Sequence, residues 1–379
     1  MYQHRINAAI IYYIGCSTFP ESKWILLMSS SVTRASSGRF EWMDALRGIA
    51  IFMVVYLHSA DSMSIKFPEL SSAFLQFNAI MTPFRMPALM FLSGLLVFSS
   101  MGKGSRRYFR GKAVNILYPY IIWSLIGYVL YILRAHYLGK EPVDFWSSFF
   151  LHPMMHLWFI YYIMIYYVIA FFLLKTNRLL CFALVMSSYT AMYYFGFEKF
   201  GYYMVFFMVG GLLGIRLQAF RQFIERAGWS LLLPVGVMGV WVWLVHEGVI
   251  DNVYGYDLLQ MSMAFIVITL LLKVTMLAAV APLLRPFQWF GRNSLAIFLV
   301  HFPFTWVAPV LMTRFIDSDP DLVFPFYFAV VLGISALLAW LNNRSRVVSL
   351  LFTANALMPS GATTRSSAKA TGQAISERS

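Results

Sequence analysis

The chain has 379 residues, 60% hydrophobic and only 12% charged, with a mean hydropathy of +0.68. A charge share about half the ~25% of soluble domains, with long apolar runs, excludes an ordinary soluble enzyme and points to a polytopic membrane protein. The formal charge of +13 sits in short loops between apolar runs, which speaks for the positive-inside rule and against a nucleic-acid partner, while Cys16 and Cys181 make neither a disulfide framework nor a metal site.

Residues 1–38 read as an N-terminal extension, loosely ordered or interfacial. The apolar stretch 6–16 is too short to span, Pro20, Glu21 and Lys23 interrupt the next stretch, and no small-residue cleavage site marks a signal peptide. Ten spans are predicted, at about 44–62, 79–99, 113–134, 156–174, 179–196, 201–217, 229–246, 257–280, 290–313 and 323–342. Residues 39–342 thus form one ten-span membrane domain, and the Ser-, Thr-, Ala- and Arg-rich stretch 343–379 reads as a disordered cytoplasmic tail. No internal repeat is visible.

Loop charge assigns orientation. Basic residues follow span two (Lys103, Arg106, Arg107, Arg110, Lys112), span four (Lys175, Arg178), span six (Arg216, Arg221, Arg226) and span eight (Arg285, Arg292). The intervening loops are neutral or acidic, as at Glu247, Asp251 and Asp257. This alternation predicts both termini in the cytoplasm. The expected fold class is all-α, a polytopic integral membrane bundle of about ten transmembrane helices, with the lipid bilayer as its surroundings.

Within span one, Arg47 and His58 are eleven positions apart, which returns them to nearly the same helix face, roughly 16 Å apart along the axis. Ionisable groups inside a span are costly, so they mark candidate functional sites. Neutral imidazole is suited to take a proton near pH 7, and a cation lower on the same stripe suits an anionic cofactor. A histidine hydrogen-bonded between helices is the structural alternative. Asp61, one turn beyond His58, reads as a solvated loop carboxylate that is also within reach of the ring.

Further candidates come in chain order. Arg85 opens span two from the outer side, where an arginine also snorkels to the interface. Arg107-Tyr108-Phe109-Arg110 sets two arginines on one helical face, a fork for an anion; with Arg106 and Lys112 it forms a basic cluster denser than topology requires. His156 and Trp158 open span four at the outer interface, where a tryptophan belt is also expected. His301 lies about three turns into span nine, at a depth comparable with His58. Arg85, His156, Trp158 and His301 are therefore the candidate substrate contacts. No phosphate-cradling Gly-rich loop, nucleophile elbow, zinc-protease helix or cluster of metal ligands occurs, so no metal is expected.

The arginine, ten residues, histidine arrangement opening with Leu46-Arg47-Gly48-Ile49-Ala50 resembles the integral-membrane acyltransferase 3 family. Further matches run in order through residues 39–342: the stretch 85–94, Arg107-Tyr108-Phe109-Arg110 with Leu117-Tyr118-Pro119, His156-Leu157-Trp158-Phe159, the stretch 206–211 and the stretch 294–301. The Phe84-Arg85-Met86 and His156-Leu157-Trp158-Phe159 elements resemble loosely the branch that succinylates periplasmic glucans. The resemblance implies about ten spans in the inner (plasma) membrane and transfer of an acetyl or other short acyl group, such as succinyl, to a sugar or glycan hydroxyl. It implies His58 as general base with Arg47 as its partner. Arg107 and Arg110, flanked by Arg106 and Lys112, would bind an acyl-CoA donor (acetyl-CoA or succinyl-CoA), consumed as substrate rather than held as a permanent cofactor. No esterase domain follows span ten, so a relayed transfer would need a separate periplasmic partner. A transporter or flippase for a lipid-linked saccharide or small polar solute, and a non-catalytic membrane scaffold, are the competing readings.

Overall fold

The computed structural model describes residues 40–357 apart from 138, 140, 142–143, 151–152, 227, 229–231, 251–254 and 316–318, with the backbone alone over 307–315. The expected N-terminal extension and the tail beyond 357 lie outside the described residues. Every regular element within them is helical.

Helix α1 (Glu41–Lys66) carries Glu41 and Asp44 in its first turn and Lys66 in its last, the charge order its dipole favours. Helix α2 (Ser72–Leu95) starts where Ser71 Oγ accepts from the Ala73 amide. A short helix, Val97–Met101, leads to Gly104, whose φ of 87° permits the turn into α3 (Ser105–Lys112). The chain then passes through a π-helical turn (Ala113–Leu117) into α4 (Tyr118–Tyr137). Next come α5 (Trp158–Leu173), α6 (Arg178–Tyr194), α7 (Glu198–Gly214) and α8 (Leu217–Arg226), the last bent 98° from α7. Helices α9 (Leu232–His246), α10 (Leu258–Met276), α11 (Ala281–Arg292), α12 (Ser294–Phe315) and α13 (Pro320–Asn342) complete the bundle.

Each of the ten predicted spans falls on one of these helices; α3, α8 and α11 are additional. Among the described residues, six helical segments qualify by length and composition to cross a membrane, and seven if the bent α7–α8 pair counts as one. Helix α9 and the segment Ser294–Trp306 of α12 are shorter apolar helices. Helix α4 turns Leu125, Val129 and Leu133 outward, an exposed apolar stripe suited to lipid rather than water. The protein is a multi-pass, all-α membrane protein.

Helix α1 lies at the centre, against α2, α10, α11, α12 and α13. Two glycines allow one of these approaches. A Cβ on Gly48 would stand 1.7 Å from the Phe287 carbonyl oxygen, and one on Gly291 would stand 1.8 Å from that of Asp44. Backbone therefore packs on backbone where α11 crosses α1. By sequence alone this stretch reads as a plain basic loop, because α11 is amphipathic and its apolar face is legible only against a partner. Likewise Gly94 and Gly210 bring α2 against α7.

The stretch after Asn342, expected as disordered tail, is ordered as far as 357. It forms a helix (Arg346–Ser349) and a 3-10 turn (Ala354–Leu357) against α4. Tyr118 Oη donates to Leu350 O at 2.8 Å and Trp123 Nε1 to Leu351 O at 2.9 Å, while Phe352 is buried.

Candidate active site

Three histidines from three apolar segments meet in the bundle. The ring of His58 on α1 lies 5.3 Å from that of His301 on α12, and His156 lies 5.2 Å from His301, centroid to centroid. Phe302 packs on the group, edge-on to His58 at 5.0 Å and stacked on His156 at 4.8 Å. His156 reaches it through a 3-10 turn (Met155–Leu157) that begins at Met155, the one non-glycine among the described residues with positive φ, 53°. That left-handed conformation costs roughly 1–2 kcal/mol, and it turns the chain into α5.

His301 Nδ1 lies 3.2 Å from the Ile297 carbonyl, a contact its Nδ1–H tautomer donates. Among the described residues, His301 Nε2 is buried with no direct hydrogen-bond partner, while the Leu299 backbone lies within hydrogen-bonding reach of the His156 ring.

The group borders a cavity of about 200 Å³ lined by His58, Asp61, Arg85, His156, Trp158 and Lys199, among others. Arg85 does not snorkel outward: it is among the largest fully buried side chains. Its Nη1 donates to Asn78 Oδ1 at 2.8 Å and its Nη2 to Thr82 Oγ1 at 2.8 Å, and Asn78 Nδ2 donates to Asp61 Oδ1 at 3.1 Å. Asp61 is therefore a half-buried helical residue tied through Asn78 to Arg85, not a solvated loop carboxylate. Further side chains bind the α2 backbone nearby: Thr82 Oγ1 donates to Asn78 O and Trp241 Nε1 donates to Ile80 O. Trp158 belongs to the cavity wall, with the Lys199 ammonium 3.7 Å over its ring and Tyr203 packed at 5.2 Å.

A second cavity, of about 290 Å³, lies along the same helices in the direction of the α1 N-terminus. Arg47 and Ile51 line it from α1, Leu89 and Ser93 from α2, Phe159 and Tyr167 from α5, and Ser294 and Leu295 from α12. The Arg47 guanidinium is 4.0 Å from the Asp44 carboxylate and half-buried. Lys112 does not join the other basic residues of its cluster; its ammonium sits 3.5 Å over the Tyr167 ring. Lys103, Arg106, Arg107 and Arg110 instead line an open surface hollow of about 660 Å³, so the predicted arginine pair does share a face.

Sequence reasoning thus singles out His58, His156, Arg85 and Trp158, which line one cavity, His301, which packs against the two histidine rings behind it, and Arg47, which borders the next cavity. It misses Lys199, which by sequence only offsets Glu198, together with the cavity-lining Tyr202, Tyr256 and Gln260. It also passes over Phe298, which a step of three back from His301 puts on the same face of α12. Among the described residues no cluster of His, Cys, Asp or Glu is arranged to hold a metal ion.

No curated protein and no solved structure matches the chain. A family model described as an acyltransferase domain does match, over residues 40–340, a stretch that holds both cavities and the basic hollow; the chain belongs to the acyltransferase 3 family and is a membrane acyltransferase.

Proposed function

We propose that the protein transfers an acetyl or other short acyl group, such as succinyl, from an acyl-CoA donor to a hydroxyl of a sugar or glycan, in the inner membrane. One observation carries this reading: Arg47 and His58, on one stripe of α1, border two successive cavities, one with a cation at its edge and one with a histidine group. The alternation of basic loops sets the Arg47 side and the arginine hollow towards the cytoplasm, where acyl-CoA is available. Arg106, Arg107 and Arg110 suit its phosphates through charge-assisted, bidentate hydrogen bonds. Arg47 takes an anionic portion of the donor deeper in, with Lys112 beside it at Tyr167.

The acceptor enters the histidine cavity from the other side. Trp158, with its apolar face, and Lys199, Tyr256 and Gln260, with hydrogen-bonding tips, suit a sugar ring. A sugar hydroxyl is a weak nucleophile at neutral pH and needs a base within about 3 Å. Neutral His58 accepts the hydroxyl proton as the oxygen attacks the thioester carbonyl. The carbon–sulfur bond of the tetrahedral adduct then breaks, and the thiolate of coenzyme A takes the proton back from His58. His301 and His156 hold the ring and the acceptor, while the Asp61–Asn78–Arg85 chain fixes the cavity wall. Transfer is direct in this scheme; a separate periplasmic partner would be needed only for a relay.

Mass spectrometry of total envelope glycans from cells with and without the protein tests the reading. A missing acyl mass increment in the deletion is the expected result. Identical glycans, or accumulation of an unmodified lipid-linked precursor, would contradict it, the latter in favour of transport.

A further inference from the structure

We propose that Phe298 is the partition between the two cavities and the residue that sets the size of the acyl group. This rests on the functional reading above and on the geometry of the two cavities, which lie in series along the same elements. From α1, Ile51 borders the Arg47 cavity and Val54 the histidine cavity; from α2, Leu89 and Met86 divide in the same way. Among the described residues, Phe298 alone lines both. Its side chain is 3% exposed, wedged between the Phe159 ring at 5.2 Å on the Arg47 side and the His156 ring at 5.0 Å on the other.

The junction is therefore an apolar neck filled by one aromatic ring. A donor held at Arg47 and a hydroxyl held at His58 meet only if the acyl carbon passes this neck. The methylenes of an acyl chain suit such walls, and the phosphates of the donor do not. Once the thioester carbon stands beside His58, the remainder of the acyl group lies in the histidine cavity next to the Phe298 ring and competes with the acceptor for about 200 Å³. A full phenyl ring there favours a short acyl group. Removing it opens room at the place where a longer chain has to fit.

The test uses the full chain in lipid nanodiscs. Acetyl-, butyryl- and hexanoyl-coenzyme A serve as donors, and envelope glycan extracted from cells lacking the protein serves as acceptor, with incorporated acyl groups read by mass spectrometry. Phe298→Ala should raise the ratio of kcat/KM for hexanoyl over acetyl by roughly tenfold or more, since one methylene in an apolar pocket is worth about 10-fold to 200-fold. Phe298→Leu, which keeps most of the packing and decides the matter should the alanine protein fail to insert, should move the ratio the same way by less. Phe298→Trp should move it the other way. A ratio unchanged in folded variants, even with a lower overall rate, marks Phe298 as packing only and overturns the partition while leaving the functional reading intact. A wild-type protein that transfers no acyl group from any of these donors or from succinyl-coenzyme A overturns the functional reading, and the partition with it.

Discussion

The imidazoles of His58 and His301 lie 5.3 Å apart where α1 meets α12, inside the helix bundle of a membrane protein. His301 stands in an apolar run, whereas His58 ends one, with Ser59, Asp61 and Ser62 following it. Both rings sit inside the bundle, and burial of such groups is costly enough that a functional role is the economical explanation. His156 makes the third member, and the cavity beside them carries Arg85, Lys199 and Asp61 as well.

The arginine hollow makes a first prediction. Replacing Arg107 and Arg110 together by alanine should weaken acyl-CoA binding while the protein still inserts, because each lost charge-assisted hydrogen bond costs about 1.5–3 kcal/mol. Lysine at both positions should restore binding only in part, since an ammonium lacks the bidentate fork. Equilibrium binding of acyl-CoA to the purified variants measures this, and unchanged affinity in the double alanine protein would reduce the cluster to a topology signal.

Orientation gives a second prediction. Cysteine labelling from either side of the membrane should place residues 103–110 in the cytoplasm and the loop around 247–256 outside. Periplasmic labelling at 103–110 would invert the orientation and remove the basis for a cytoplasmic donor.

A third prediction concerns close packing. Gly48→Ala should destabilise the protein by at least the roughly 1–3 kcal/mol typical of overpacking, because its Cβ would collide with the Phe287 backbone rather than with a side chain that can move. Gly236→Ala, which meets nothing within 4 Å, should leave the melting temperature unchanged or slightly raised. Thermal melting in one detergent compares the two; equal effects would mean that the α1–α11 contact is not close-packed.

The network on α2 gives a fourth. Asn78→Ala removes the link between Asp61 and Arg85 and takes a hydrogen bond from each, a loss of about 1–3 kcal/mol. Asn78→Asp keeps an acceptor for Arg85 but sets a second carboxylate against Asp61 in place of an amide donor, so it should not restore the wild-type melting temperature. Full restoration by aspartate would show that the amide donor to Asp61 contributes nothing.

Much of this was legible in the residues. Each predicted span falls on a helix, because long apolar runs leave a chain little choice of structure in lipid. Among the described residues, however, only six helices, or seven with the bent pair, are long and apolar enough to cross a membrane. The pairing of Arg47 with His58 follows from helical periodicity on a single element and needs no neighbour. Features that depend on neighbours were not legible. The depths of His156 and His301 were readable but not which way they face, since a helix that is apolar all round shows no preferred side. Asp61 reads as a loop residue for the same reason: its partner Asn78 sits on another helix. Helix α11 reads as a basic loop until Gly48 and Gly291 reveal the surface it packs on. The order of residues 343–357 depends on carbonyls that accept from Tyr118 and Trp123, far away in sequence.

The two ends of one stripe on α1 are proposed to do different work, so a single comparison tests this most directly: purified His58→Ala and Arg47→Ala proteins, confirmed as folded, assayed separately for acyl-CoA binding and for acyl transfer to envelope glycan. His58→Ala should bind donor nearly as the wild type does and lose about 10²–10⁴ in transfer rate, the range general-base catalysis supplies. Arg47→Ala should lose donor affinity together with turnover, and His301→Ala should be milder than His58→Ala. A folded His58→Ala protein that acylates its acceptor at the wild-type rate would contradict the mechanism outright.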